Sequence, residues 1–191
     1  MESKKNKNIS SNVETRFVDM STNISNELKN GQYVVLASQP DGVISIGKEG
    51  KYGFDTLKEA VDIQFDHLNI DKDVKVSVFE VQKKFGDKNG LKPTNLVQAE
   101  LENLFIGEDP DYIRNGSYAV CQSITCTDGI INNTLEFFNC KQEAIEGEFR
   151  YVDTGYTNTF VAQLFRYKND DSDTPLFKAY RLSDAEFFIT D

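Results

Sequence analysis

The chain has 191 residues, 39% of them hydrophobic and 27% charged, and 21 Lys+Arg against 31 Asp+Glu leave a formal charge of -10. With 14 Phe and 8 Tyr it holds enough apolar side chain for a core, which excludes a disordered chain. The acidity argues against a nucleic-acid or anionic-membrane binder, because such proteins neutralise phosphates with clustered Lys and Arg.

Residues 1–12 are rich in Lys and Asn without an apolar stretch behind them, so they read as a flexible tail and not as a secretory signal or membrane anchor. A cytoplasmic protein is expected. Val13, Phe17, Met20, Ile24 and Leu28 keep helical spacing, and Asn30-Gly31 supplies a stop, which predicts a helix over 13–29. Tyr33 to Ser38 is an apolar, partly β-branched run, Asp41-Gly42 is a hairpin-turn dipeptide, and Val43 to Ile46 forms the returning strand. Thr56-Leu57-Lys58-Glu59 has the form of a capping box, and Leu57, Ala60, Val61, Phe65 and Leu68 share one face of the helix that follows. Val74 to Phe79 closes this unit as a strand. After a polar joint over 85–94, Leu96, Val97, Leu101, Leu104 and Phe105 predict a second amphipathic helix.

The remainder repeats the first part. Asn115-Gly116-Ser117-Tyr118-Ala119-Val120 matches Asn30-Gly31-Gln32-Tyr33-Val34-Val35, Asp128-Gly129-Ile130-Ile131 matches Asp41-Gly42-Val43-Ile44, and Glu143-Ala144-Ile145 with Phe149 matches Glu59-Ala60-Val61 with Phe65. A second hairpin, a helix capped by Asn139 and Gln142 with Ala144, Ile145 and Phe149 inward, and a strand over Thr159 to Phe165 follow. A last strand pair is expected over Leu176–Leu182 and Glu186–Thr190. The fold class is therefore α+β, with two duplicated ββαβ units, each preceded by a helix, packed as a pseudo-symmetric pair. The boundaries are 13–84 for the first unit, 85–94 for the linker and 95–191 for the second. A unit of about 60 residues is marginal alone, which favours intimate packing of the two.

Chemistry-bearing residues are sparse. His67, the single histidine, reads as a solvated imidazole near a helix end. Cys121, Cys126 and Cys140 lack the C-x2-C pairing of structural zinc sites, and Cys121 falls in a strand as a small core hydrophobe. No catalytic residue, metal ligand or cofactor is assigned, and an enzyme is not favoured. Gly47, Lys48, Gly50 and Lys51 resemble a glycine loop with cations but lack the G-x4-G-K-[ST] pattern. With the helix that follows, they form the best candidate anion or ligand loop.

Charge is unevenly spread: residues 1–105 carry 14 basic and 16 acidic side chains, and residues 106–191 carry 7 and 15. An acidic face on the second half suits a protein partner with a basic surface, with Glu108, Asp109, Asp111, Asp170, Asp171 and Asp173 as the expected contact residues. The function expected from these features is a non-enzymatic, acidic protein-binding module. It would act as a phage or mobile-element inhibitor that blocks a host protein's basic nucleic-acid-binding surface, without direct nucleic-acid or membrane contact. The alternative is a small-ligand or nucleotide-binding protein, or an enzyme, with its site between the repeats, lined by the Gly47 loop, Tyr33 and Tyr118.

Overall fold

The computed structural model describes residues 13–17, 28–70, 74–83, 94–102, 104–106, 113–167 and 176–182. In chain order these form β1 (Val13–Phe17), β2 (Tyr33–Gln39), β3 (Gly42–Lys48), α1 (Leu57–Ile70), β4 (Lys75–Lys83), β5 (Thr94–Gln98), β6 (Leu104–Phe105), β7 (Tyr118–Cys126), β8 (Gly129–Phe138), α2 (Lys141–Asp153), β9 (Thr159–Tyr167) and β10 (Leu176–Arg181). The fold is mixed α+β. One sheet has the order β1-β3-β2-β4-β5 and is antiparallel throughout; the other is β10-β9-β7-β8-β6, antiparallel except for the short β6, which runs parallel to β8.

Period-two alternation decides which side chains meet. In β2, Tyr33, Val35 and Ala37 point to the helix side, where Leu57, Ala60 and Val61 of α1 cover them, while Val34 and Leu36 point to the opposite face with Leu28 and Val81. In β9, Val161 and Phe165 face the helices, and Phe160, Ala162 and Leu164 face the other way with Cys121 and Ala179. The helix-side core draws on both sheets and both helices, since Ala144, Ile145, Tyr180 and Leu182 belong to the same cluster as Ile46 and Val78.

Local signals account for the first helix. The Thr56 hydroxyl accepts the Glu59 N–H at 3.3 Å and the Glu59 carboxylate accepts the Thr56 N–H at 3.4 Å, so the capping box forms. Phe65 and Leu68 are half-buried against the core. Before each first hairpin strand a glycine takes φ +83°, and its N–H is tied to a neighbouring strand: Gly31 to the Val81 carbonyl at 2.8 Å, Gly116 to that of Leu164 at 2.7 Å.

Several expectations need correction. Val13–Phe17 is a strand on β3, not the start of a helix; residues 18–27 of that expected helix lie outside the described residues. The helix expected over 96–105 is instead β5, an extended stretch, and β6. Leu96 packs on the Val34 and Leu36 face, whereas Leu101 and Leu104 pack on the Cys121 face, so the apolar spacing serves two separate clusters. Helix α2 has Cys140 at its N-cap and no side-chain capping bond; Gln142 donates to Glu146 at 3.0 Å instead. Phe149 is 65% exposed although it stands one turn after the buried Ile145: Ala144, Ile145 and Gly147, with the half-buried Glu148 and Tyr151, form the stripe turned to the sheet, and Phe149 lies at its edge. At the matched position in α1, Phe65 is covered by Tyr167, ring centroids 5.0 Å apart. His67 is buried, since α1 continues to Ile70 and His67 follows Ala60 and Gln64 on its inner face. The second strand of the expected closing pair, 186–190, lies outside the described residues, as do the tail over 1–12 and most of the joint over 85–94.

The two sheets meet at Ala99–Leu101. Here the Arg181 N–H donates to the Ala99 carbonyl and the Leu101 N–H to that of Ala179, both at 2.8 Å, with Glu100 opposite Tyr180. A buried polar group seals this seam from the helix side. Gln64, fully buried on α1, donates through Nε2 to the Val76 carbonyl at 2.8 Å and to Glu100 at 2.7 Å, and its Oε1 accepts the Tyr180 hydroxyl. Lys178 donates to the second Glu100 oxygen. Burial, and then the Glu100 charge, push the Tyr180 phenol well above its ordinary value.

Candidate functional site

The candidate loop is a tight hairpin turn. Lys48 and Lys51 exchange two backbone hydrogen bonds of 2.9 Å across Glu49-Gly50, both of which have positive φ. This turn and α1 enclose a cleft of about 390 Å³, with Phe54 and Ile63 on its floor, Lys48, Glu49 and Lys51 on one wall, and Glu59, Asp62 and Asp66 on the other. The helical wall follows from spacing, since Glu59, Asp62 and Asp66 sit at i, i+3 and i+7. Lys51 lies 3.5 Å from the Asp55 carboxylate and 3.6 Å from that of Glu59. A hydrogen bond from Gln32 at 2.6 Å, aided by Lys51, holds the Asp55 carboxyl below its usual range. Two lysines therefore stand among five carboxylates, and the Glu59 carboxylate already accepts the Asp55 and Thr56 N–H groups at the start of α1. Tyr33 is fully buried in the core, Tyr118 half-buried.

A second feature lies on α2. Phe149 is 65% and Val152 49% exposed on its flank. Glu146 stands three residues before Phe149 and Asp153 four after it, so helical geometry places an exposed carboxylate on either side of the ring. Arg150 is turned to the other flank, where it pairs with Glu136 of β8 at 3.5 Å. On that same side Tyr151 and Tyr156 stack edge to face at 5.1 Å, and burial together with Glu136 raises the Tyr151 phenol. Turn counting does not reveal this flank, since Phe149 follows the buried Ile145 by four residues as Phe65 follows Val61; the difference is that Tyr167 covers Phe65.

The six acids expected to contact a partner, Glu108, Asp109, Asp111, Asp170, Asp171 and Asp173, lie outside the described residues. The three cysteines are free; Cys126 and Cys140 are exposed, and burial pushes the Cys121 thiol up to about 12. Among the described residues no group of three His, Cys, Asp or Glu side chains is placed to hold a metal, and no helix is long and apolar enough to cross a membrane. No protein-family model, curated protein or solved structure matches this chain.

Proposed function

We propose that this protein is an acidic protein-binding module that docks on a basic surface of another protein and, where that surface binds nucleic acid, blocks it. The observation that carries the reading is the α2 flank, where an aromatic ring 65% exposed is bracketed by Glu146 and Asp153. A few residues carry most of the affinity at an interface, aromatics prominent among them, and surrounding charge supplies steering and choice of partner. The formal charge of -10, to which Glu108, Asp109, Asp111, Asp170, Asp171 and Asp173 contribute, strengthens that steering. A role as a phage or mobile-element inhibitor is the biological setting this mode of action would suit.

The two halves are read as copies of one ββαβ unit. Support comes from the matched sequence stretches, from the shared element order, and from the strand neighbours β3-β2-β4 and β8-β7-β9. Gly42 and Gly129, at the hairpin turns, also share positive φ. In this view one copy keeps its helix covered, with Phe65 under Tyr167, and the other has turned the matched phenylalanine outward for binding. Exchanging Asn30–Val35 with Asn115–Val120 should then leave the fold intact, and loss of cooperative unfolding would count against common descent.

The functional test is affinity capture with wild-type protein, Phe149→Ser and the double variant Glu146→Gln/Asp153→Asn. A stoichiometric partner that is lost with both variants and with rising salt, and that releases its nucleic acid on saturation, is the expected outcome. Partners retained equally by all three proteins would sink the proposal.

A further inference from the structure

The α2 flank presents a combination of groups more specific than negative charge. Phe149 offers a ring face to solvent, Val152 adds apolar surface beside it, and Glu146 and Asp153 stand on either side. Gln142 donates to one Glu146 oxygen at 3.0 Å and so orients that carboxylate on the helix surface. The nearest basic side chain along the helix, Arg150, pairs with Glu136 at 3.5 Å; standing four residues after Glu146 and three before Asp153, it borders the two carboxylates on the side away from Phe149.

We infer that this flank recognises arginine side chains of a protein partner in preference to lysine. The inference rests on the docking reading above and specifies its chemistry. A guanidinium is planar and weakly hydrated, so it can lie on the Phe149 ring while its N–H groups pair with a flanking carboxylate. An ammonium of equal charge is a compact, strongly hydrated point that gains the Coulomb attraction but loses more on leaving water. Charge also selects among occupants. A second copy of this chain would bring another -10, and the chain's own residues 183–191 carry Asp184, Glu186 and Asp191 with no basic residue, so both meet Glu146 and Asp153 with repulsion.

The test uses two short labelled peptides, identical except that one carries arginine wherever the other carries lysine, titrated with the full chain at low salt and followed by fluorescence anisotropy. Wild-type protein is expected to bind the arginine peptide about fivefold more tightly, the scale of one exposed cation–π contact. Phe149→Ser should bring the ratio close to one while leaving residual salt-sensitive binding, and Glu146→Gln/Asp153→Asn should weaken both peptides. Circular dichroism on each variant keeps a folding defect from being mistaken for lost recognition. Equal affinity of both peptides for wild type, with both weakened by the carboxylate variant, would overturn the arginine preference and leave the docking reading standing. Binding that neither variant changes, or no binding at all, would overturn both.

Discussion

Gln64→Leu perturbs the seam between the two sheets at its most connected atoms. The side-chain volume is nearly conserved, so the substitution removes hydrogen bonds without opening a large cavity. It deprives the Val76 carbonyl, the Tyr180 hydroxyl and one Glu100 oxygen of the partner each has on Gln64. A buried neutral group left without its partner costs about 1–2 kcal/mol and a bond to a charged group about 1.5–3 kcal/mol, while the apolar leucine recovers about 1 kcal/mol. The expected loss is therefore about 2.5–6 kcal/mol, a large share of the stability of a domain this size. Tyr180→Phe alone should cost about 1–2 kcal/mol, since it leaves the Gln64 Oε1 without its donor. The double variant has no orphaned hydroxyl, so it should be less damaged than the sum of the singles by about 1 kcal/mol or more. Urea denaturation followed by far-UV circular dichroism suits a chain with no Trp. A Gln64→Leu cost below about 1 kcal/mol, or strict additivity in the cycle, would refute the claim that this network fixes the seam.

Other consequences can be checked with similar means. Thr56→Ala should lower stability by about 1 kcal/mol by removing the acceptor for the Glu59 N–H, measured by the same denaturant titration. A thiol reagent should modify Cys126 and Cys140 quickly and Cys121 only on unfolding, because Cys121 is fully buried. Since the Cys121 thiol titrates near 9.0 when unfolded and at about 12 when folded, its contribution is complete below the unfolded value and is lost as pH rises through that window. The slope approaches about 1.4 kcal/mol per pH unit, and Cys121→Ala should flatten it in stability measurements across alkaline pH. Phe149→Ser should change the unfolding free energy by less than about 0.5 kcal/mol, because the ring is mostly in solvent; a larger loss would mark it as a packing residue.

Features set by neighbouring residues were the ones readable from sequence. Thr56 and Glu59 lie three apart and cap the same turn, and Asp41-Gly42 and Asp128-Gly129 tie adjacent strands, so no distant contact was needed to place them. The stretch from Leu96 to Phe105 was unreadable for the opposite reason. Its apolar spacing fits a helix, and only the available edges of β4, β10 and β8, all distant in sequence, turn it into pairings with three different strands. The cleft shows the same division: Lys48 and Lys51 stood out as a local pattern, whereas Asp62 and Asp66 on its other wall depend on how α1 packs against the hairpin. Phe149 was misplaced because the match to Phe65 carried its environment along with its identity, although Tyr167 covers only one of the two rings.

The glycine turns ahead of β2 and β7 also bear on how the molecule ages. Each is an Asn-Gly pair, the sequence in which the glycine nitrogen most readily attacks the preceding side-chain amide, expelling ammonia and closing a succinimide that water opens to aspartate or isoaspartate. In the folded chain that nitrogen is engaged, with its N–H held by Val81 in one turn and by Leu164 in the other. At the second turn the Asn115 amide oxygen is itself fixed by the Arg166 N–H at 2.7 Å. The same bonds that set the entry to each sheet therefore slow the chemical clock at Asn30 and Asn115, which runs at its peptide rate only while a molecule is unfolded.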